Sequence, residues 1–145
     1  IVLKYSTNPL FDCGRLFDCV LFSFLTGNAD MHLKNFSLIY KRHDNINLAP
    51  AYDMISTRLL ISEKDDPEES ALTINGKKKN LTLADFRNLA SSLSMNQRQI
   101  DNAIGRFKNA YPKTALLIKG SFLSEDKKGE YTELMQQRAG RLRLI

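Results

Sequence analysis

The sequence predicts an α+β fold that is mainly helical and contains one small β-hairpin. A long apolar run from Leu10 to Leu25 indicates a buried helix, and residues 36–49 alternate as a pair of short strands does. From residue 82 onward, apolar residues recur with helical spacing. The chain has 145 residues, of which 43% are hydrophobic and 26% charged, so we expect one globular domain or a piece of one.

The first strong element is the helix that covers the apolar run. Asn8 can cap its start, Pro9 suits the first helical position because proline lacks an N–H, and Gly27 can end it in a left-handed conformation. The preceding segment, Ile1–Tyr5, is predicted as a strand. The phenylalanines of the run are all expected in the core: Phe11, Phe17, Phe22 and Phe24.

This helix is nearly long enough to cross a bilayer, but it carries Asp12, Arg15 and Asp18. A charge at the centre of a bilayer costs roughly 3 kcal/mol or more. We therefore predict a core helix and no membrane association. Cys13 and Cys19 lie on it as small apolar residues, which suits a reducing compartment, and the first residues show no signal peptide. The predicted location is the cytoplasm.

The hairpin is predicted from strands over 36–41 and 46–49, with a polar turn in which His43 faces solvent. The acidic stretch 62–70 is predicted as an exposed loop, and residues 72–74 as a short extended piece.

Four helices are predicted after this. Thr82 and Asp85 form a capping pair for the first, and Ser94 caps the second, which runs to about Ala110. The third covers 113–122 and the fourth 131–144.

The net charge is +5, and two clusters carry much of it. The simplest interpretation is a solvated face, and the alternative is contact with nucleic acid or an acidic partner. The clusters are Lys77, Lys78 and Lys79, and the C-terminal Arg138, Arg141 and Arg143.

The residues that suggest chemistry lie between Gly27 and Asp53. Asp30 and Asn35 are five apart in the loop between the buried helix and the hairpin, and Asp53 follows the hairpin. Because a hairpin folds back, Asp53 should return close to Asn35. A carboxylate that accepts a hydroxyl proton, beside a carboxylate and an amide that hold Mg²⁺, is the set that phosphoryl transfer from ATP needs.

Each residue also has a simpler interpretation. Asp30 can be a turn residue, Asp53 a helix cap and Lys34 a solvated side chain. Lys34 could instead neutralise charge on the transferred phosphoryl group. His32 is more readily a hydrogen-bonded structural residue than a base, but it could support the loop or touch a phosphate. The combination of Asp30, Asn35 and Asp53 favours the catalytic interpretation.

The strings GNADMHLKNFSLIY and LAPAYDMIS resemble the C-terminal lobe of HipA-like serine/threonine kinases, the toxins of bacterial toxin–antitoxin pairs. INGKKKNLTLADF and the helical tail resemble that family's helical subdomain more loosely. The resemblance implies a protein-kinase-like C-lobe in which Asp30 is the catalytic base and Asn35 and Asp53 bind Mg²⁺ and so ATP. Lys34 and His32 belong to the same loop.

The resemblance also implies a domain plan and partners. Residues 1–60 would carry the catalytic loop and metal-binding hairpin, and residues 81–145 the helical subdomain. The family's partners would be a HipB-like DNA-binding antitoxin and a protein substrate such as an aminoacyl-tRNA synthetase. The sequence contains no glycine-rich phosphate loop or strand lysine ahead of Asn8, so we expect a nucleotide-binding N-lobe to be supplied from elsewhere and the 145-residue chain to be inactive alone.

Two rival functions stay open. The order Asp30, His32, Asn35 is also similar to phosphoinositide-type lipid kinases, which leaves a lipid or small-molecule phosphotransferase. The other rival is a degenerate lobe that serves as a scaffold or binds nucleic acid through its basic clusters.

Overall fold

The computed structural model describes residues 1–41 and 45–145. The described residues are mainly helical with one antiparallel two-stranded sheet, which confirms the predicted fold class. The α-helices and strands are α1 (Val2–Tyr5), α2 (Pro9–Thr26), β1 (Leu38–Lys41), β2 (Asn45–Leu48), α3 (Leu83–Ser92), α4 (Gln97–Ala110), α5 (Thr114–Lys119) and α6 (Glu125–Arg141). Short 3₁₀ turns cover Leu33–Asn35, Thr57–Leu59 and Tyr111–Lys113.

Helix α2 is the centre of the fold, and α3, α4 and α6 pack against it. Phe17 and Phe24 are buried in this core, and Phe24 lies against Phe86 with ring centroids 5.0 Å apart. Phe11 and Phe22 are 68% and 43% exposed, so placing all four phenylalanines in the core was wrong. Residues seven or eleven apart share a helix face, and the pair 11 and 22 lies on the face opposite to 17 and 24.

The charges of α2 hold the hairpin. Asp12 is fully buried, and its Oδ2 accepts hydrogen bonds from the Leu48 N–H at 2.7 Å and the Ser6 hydroxyl at 2.6 Å. Arg15 Nη1 donates to the Leu48 carbonyl at 2.8 Å. The end of β2 is therefore anchored to α2 just before the chain continues towards Asp53. His43 lies outside the described residues.

The start of the chain differs from the prediction. Val2–Tyr5 is a short helix, not a strand, and Tyr5 N–H bonds the Ile1 carbonyl at 2.9 Å. A strand needs a neighbour to pair with, and the sheet of the described residues consists of β1 and β2. Pro9 does begin α2 and Gly27 ends it with φ 78°, but no side-chain capping bond from Asn8 is found.

In the tail, the capping pair is confirmed, since the Thr82 N–H and hydroxyl each donate to Asp85 at 2.9 Å. Helix α4 is capped by Asn96, not Ser94, because the Asn96 carboxamide accepts the Gln99 N–H at 3.0 Å. The predicted third helix shrinks to α5. The fourth helix begins earlier than predicted, at Glu125. Its first turns are polar, so the apolar spacing that indicates a helix is not visible there.

Two of the three C-terminal arginines are not part of a solvated basic face, whereas Arg143 is exposed. Arg138 is 1% exposed, and Arg141 forms a bidentate ion pair with Glu69 in the stretch predicted to be an exposed loop. Both the solvated and the nucleic-acid interpretations are therefore wrong for Arg138 and Arg141. Lys77 and Lys78 also bind carboxylates, those of Asp85 and Glu68, at 3.0 Å.

Two other expectations concern α2. In the part of the chain that the structure describes, no helix is long and apolar enough to cross a membrane. Cys13 and Cys19 are free thiols, and burial raises the pKa of both.

Candidate active site

The loop after α2 begins with a turn that only glycine fits well. Gly27 has φ 78°, and a Cβ at this position would lie 2.6 Å from Leu134 Cδ2 and 3.0 Å from Arg58 Cβ. A non-glycine residue would therefore be strained by its backbone and would clash with α6. The turn fixes the direction in which residues 28–35 leave the helix.

Asn28 joins the two halves of the candidate site. Its side chain is buried, its Nδ2 donates to the Asp53 carbonyl at 3.1 Å, and its Oδ1 accepts the Asp30 N–H at 3.1 Å. One carboxamide thus ties the backbone of Asp30 to that of Asp53. The sequence analysis did not identify this residue, although its place between Gly27 and Asp30 was a usable signal.

Asn35 and Asp53 meet as the hairpin geometry predicts. The Asn35 Nδ2 donates a hydrogen bond to a carboxylate oxygen of Asp53. Asn35 is 5% exposed, whereas Asp53 lies at the surface. The Asn35 amide is therefore held in place by packing, and its nitrogen lies beside a solvent-facing carboxylate.

The backbone at Asp53 is unusual, with φ 57° in the left-handed region. Aspartate and asparagine adopt this conformation more readily than most residues with a Cβ. The next helical turn starts at Thr57, so Asp53 is not at the N-cap of a helix, and the helix-cap interpretation is wrong.

Asp30 and Lys34 are exposed, and the structure holds them through their backbone. The Asp30 carbonyl accepts the His32 N–H at 2.8 Å, and the Lys34 carbonyl accepts the Tyr52 hydroxyl at 2.9 Å. Both side chains thus lie on the surface of a loop whose main chain is held by hydrogen bonds.

His32 is half-buried, and its Nδ1 is buried with no hydrogen-bond partner among the described residues. The expectation of a hydrogen-bonded structural histidine is therefore wrong for this nitrogen.

A second clamp joins the loop to the segment after Asp53. Thr57 Oγ1 accepts the Ala29 N–H at 2.9 Å and donates to the Gly27 carbonyl at 3.2 Å. The same carbonyl accepts the Arg58 N–H at 3.0 Å. The sequence analysis missed Thr57, because nothing in its local pattern distinguishes it from any other loop threonine.

The chain was then compared with known protein families, sequences and structures. Residues 1–115 match the model of the HipA-like C-terminal domain. The chain belongs to this family.

Relatives of this HipA-like chain are described as kinases. A Haemophilus influenzae protein named "Putative kinase" is 38% identical over 55 residues, covering 38% of this chain and 16% of its own length. A Sinorhizobium fredii protein named "Putative kinase Y4dM" is 37% identical over 91 residues, covering 61% of this chain and 22% of its own. The chain thus spans a minor part of these relatives.

A solved structure has the same fold as this HipA-like chain. It is a complex of HipA, HipB and operator DNA from Shewanella oneidensis MR-1, and it superposes with a TM-score of 0.74 at 20% identity. The superposition covers 98% of this chain and 33% of the solved one. Helix α6, which lies beyond the residues matched by the family model, is therefore included in the shared fold.

The chemical types of the side chains at this site suit a magnesium ion. Among residues 1–41 and 45–145 there is no group of three His, Cys, Asp or Glu that could hold a metal. A metal at this HipA-like site would need the amide oxygen of Asn35 with the carboxylate of Asp53, both hard oxygen ligands. Mg²⁺ prefers such ligands and typically takes only one or two carboxylates, completing its shell with water and phosphate oxygens.

Proposed function

We propose that this chain is the catalytic lobe of an ATP-dependent serine/threonine protein kinase. The observation that carries the proposal is the contact between Asn35 and Asp53, together with the Asn28 side chain that fixes the Asp30 backbone to the Asp53 backbone. A proton acceptor and two oxygen ligands contributed by one loop and one hairpin exit are the set that phosphoryl transfer uses. Membership of a family whose relatives are described as kinases supports it.

In the proposed reaction, Asn35 and Asp53 would hold Mg²⁺, which supplies charge neutralisation for the nucleotide phosphates when bound. The exposed carboxylate of Asp30 orients a serine or threonine hydroxyl and accepts its proton. The hydroxyl oxygen bonds to the γ-phosphorus while the bond to the β–γ bridging oxygen breaks, and ADP leaves. Lys34 stabilises the charge on the transferred group. His32 supports the loop.

The nucleotide-binding N-lobe belongs to the proposal as well. The matched segments are 16% and 22% of the kinase-named relatives and 33% of the solved HipA chain. We infer that ATP binding needs residues beyond this lobe. The 145-residue chain alone would then transfer phosphate slowly or not at all.

A role as the toxin of a toxin–antitoxin pair is proposed on the same basis. The solved relative was crystallised with HipB and operator DNA. By analogy, a HipB-like DNA-binding antitoxin is the expected partner, and a cytoplasmic protein such as an aminoacyl-tRNA synthetase is the expected substrate.

A transfer assay tests the proposal. The complete reading frame that contains this chain would be incubated with γ-labelled ATP and Mg²⁺, and with protein, lipid and small-molecule acceptors in parallel. We expect label on a protein hydroxyl, and we expect Asp30→Asn to reduce it by about 10² or more because that variant cannot accept the proton. Asp126→Asn, an exposed carboxylate on α6, is the control. Label on lipid or small molecules only would favour the rival phosphotransferase, and an Asp30→Asn variant as active as the control would refute the assigned base.

A further inference from the structure

Helix α6 packs against the start of the loop that carries Asp30. We propose that Arg138 on this helix is a positioning residue for phosphoryl transfer, acting on Asp30 through the Phe24 carbonyl and the turn at Gly27. The role towards Asp30 rests on the proposed function, while the contacts that would transmit it do not.

The first contact is at the end of α2. Arg138 Nη1 donates to the Phe24 carbonyl, and the same carbonyl accepts the Gly27 N–H at 3.2 Å. The guanidinium carbon lies 4.7 Å from the centroid of the Phe24 ring. A cation at a helix C-terminus interacts favourably with the partial negative charge there. Arg138 therefore caps α2 at the point where the loop begins. The carbonyl that it binds belongs to Phe24, which is six residues before Asp30 in the chain.

Two more residues of α6 contact the same loop. Leu134 packs so closely over Gly27 that its Cδ2 would lie 2.6 Å from an added Cβ. Lys127 Nζ donates to the Leu59 carbonyl at 3.0 Å, in the 3₁₀ turn whose Thr57 holds Ala29. Positions 127, 134 and 138 are spaced by seven and four residues, so they share one face of α6. This face of α6 contacts both segments that flank the candidate site.

Burying the charged side chain of Arg138 at this position has a cost in free energy. It is 1% exposed, and its Nη2 is buried without a hydrogen-bond partner among the described residues. Burial lowers its pKa to about 10, so it stays charged at neutral pH. The nearby Glu69 carboxylate forms its hydrogen bonds with Arg141 and the Leu81 N–H. An apolar side chain of similar volume usually packs such a site at least as well as a buried charge, so packing alone does not account for an arginine here.

The test uses the complete reading frame that contains the chain, and it compares the parent with Arg138→Met. Two quantities are measured: kcat and KM for ATP in the transfer assay, and amide hydrogen exchange of residues 27–31 beside that of α4. We expect kcat to fall by about 10-fold or more with KM for ATP changed less than about 3-fold, because the base is misplaced while nucleotide contacts remain. Exchange in residues 27–31 should rise by about 5-fold or more, with α4 unchanged.

Matched variants separate positioning from simple stability. Arg143→Met removes an exposed arginine beyond the end of α6 and should leave both quantities at the parent value. Arg138→Lys keeps the charge and a donor for the Phe24 carbonyl, so it should restore most of kcat. If Arg138→Met does not fold, Arg138→Lys and Leu134→Ala replace it, with slower exchange of residues 27–31 expected in the lysine variant than in the Leu134 variant.

The inference is overturned if Arg138→Met keeps the parent kcat per folded molecule and the parent exchange at residues 27–31. It is also overturned if exchange rises equally in α4, because that outcome shows global destabilisation. A parent protein without transfer activity refutes the proposed function instead, and in that case the exchange of residues 27–31 still decides whether Arg138 holds the loop.

Discussion

The carboxamide of Asn35 donates a hydrogen bond to the carboxylate of Asp53, although the two residues are 18 positions apart in the chain. The hairpin between them makes this contact possible, because β1 and β2 run antiparallel and return the chain to its starting edge. An amide fixed by burial and a carboxylate open to solvent are thereby held at one place.

The first prediction concerns Asp53. In the complete reading frame, Asp53→Asn should weaken Mg²⁺-dependent ATP binding by about 10-fold or more, because a neutral amide is a poorer ligand for a hard divalent cation. Asparagine tolerates the left-handed backbone at this position, so the fold should not change. Isothermal titration calorimetry with and without Mg²⁺ measures the effect. Equal Mg²⁺-dependent affinities in the parent and the variant would remove Asp53 from the metal site.

The second prediction concerns Asn28, whose side chain joins the two halves of the site. Asn28→Ala removes a donor and an acceptor that serve the backbones of Asp53 and Asp30, so it should lower the free energy of unfolding by about 1–3 kcal/mol and reduce transfer activity as well. Asn88→Ala, at an exposed position on α3, is the matched control and should stay within about 0.5 kcal/mol of the parent. Urea denaturation gives both values. Parent stability in Asn28→Ala would show that the bridge is not needed.

The third prediction compares two glycines. Gly27→Ala should destabilise the protein by about 1–2 kcal/mol or more, because alanine is strained at φ 78° and its Cβ meets Leu134. Gly129→Ala is the opposite case, since it lies within α6 with no atom near the added Cβ, and it should stabilise the protein by about 0.5–1 kcal/mol. Thermal unfolding distinguishes the two. Equal shifts of Tm in one direction would contradict the turn geometry assigned to Gly27.

The fourth prediction is a pH dependence that arises at Asp85. A hydrogen bond from Asn75, followed by those from Lys77 and Thr82, lowers the pKa of this carboxyl below its usual range in spite of burial. A lowered pKa means that the stabilisation is present above the ordinary carboxyl pKa of about 4 and is lost as the pH falls below it. Asp85→Asn should therefore cost about 1–2 kcal/mol at pH 7 and progressively less below about pH 4.

Urea denaturation of the parent and Asp85→Asn across this pH range measures the difference in unfolding free energy. Asp126→Asn, at an exposed position in the first turn of α6, is the control. A difference that does not shrink as the pH falls would mean that Asp85 is not the group that titrates.

Local signals in the sequence were sufficient for the elements that depend on neighbouring residues. Helix α2 was predicted from the apolar run together with Pro9 and Gly27, and the hairpin from the alternation of apolar residues. The start of α3 was predicted from Thr82 and Asp85. The proximity of Asn35 to Asp53 could also be predicted, because a hairpin dictates it.

The contacts between distant segments could not be predicted in the same way. Arg138 looked like a surface charge, yet it is buried against Phe24, 114 residues earlier. In the sequence, Asp12 served only as evidence against membrane insertion, yet in the structure its carboxylate accepts a hydrogen bond from the Leu48 N–H. In both cases the charged side chain forms a hydrogen bond with a backbone group that becomes buried only in the folded protein. The local sequence pattern around the charged residue therefore does not indicate this hydrogen bond.

The most direct test of the central claim is to locate the metal. A crystal structure of the complete protein with Mn²⁺ in place of Mg²⁺ and a non-hydrolysable ATP analogue would show the ion by its anomalous scattering. We predict a peak with the Asn35 amide oxygen and an Asp53 carboxylate oxygen about 2.0–2.3 Å away, and the Asp30 carboxylate facing the terminal phosphate. An ordered nucleotide whose metal contacts neither Asn35 nor Asp53 would contradict the account.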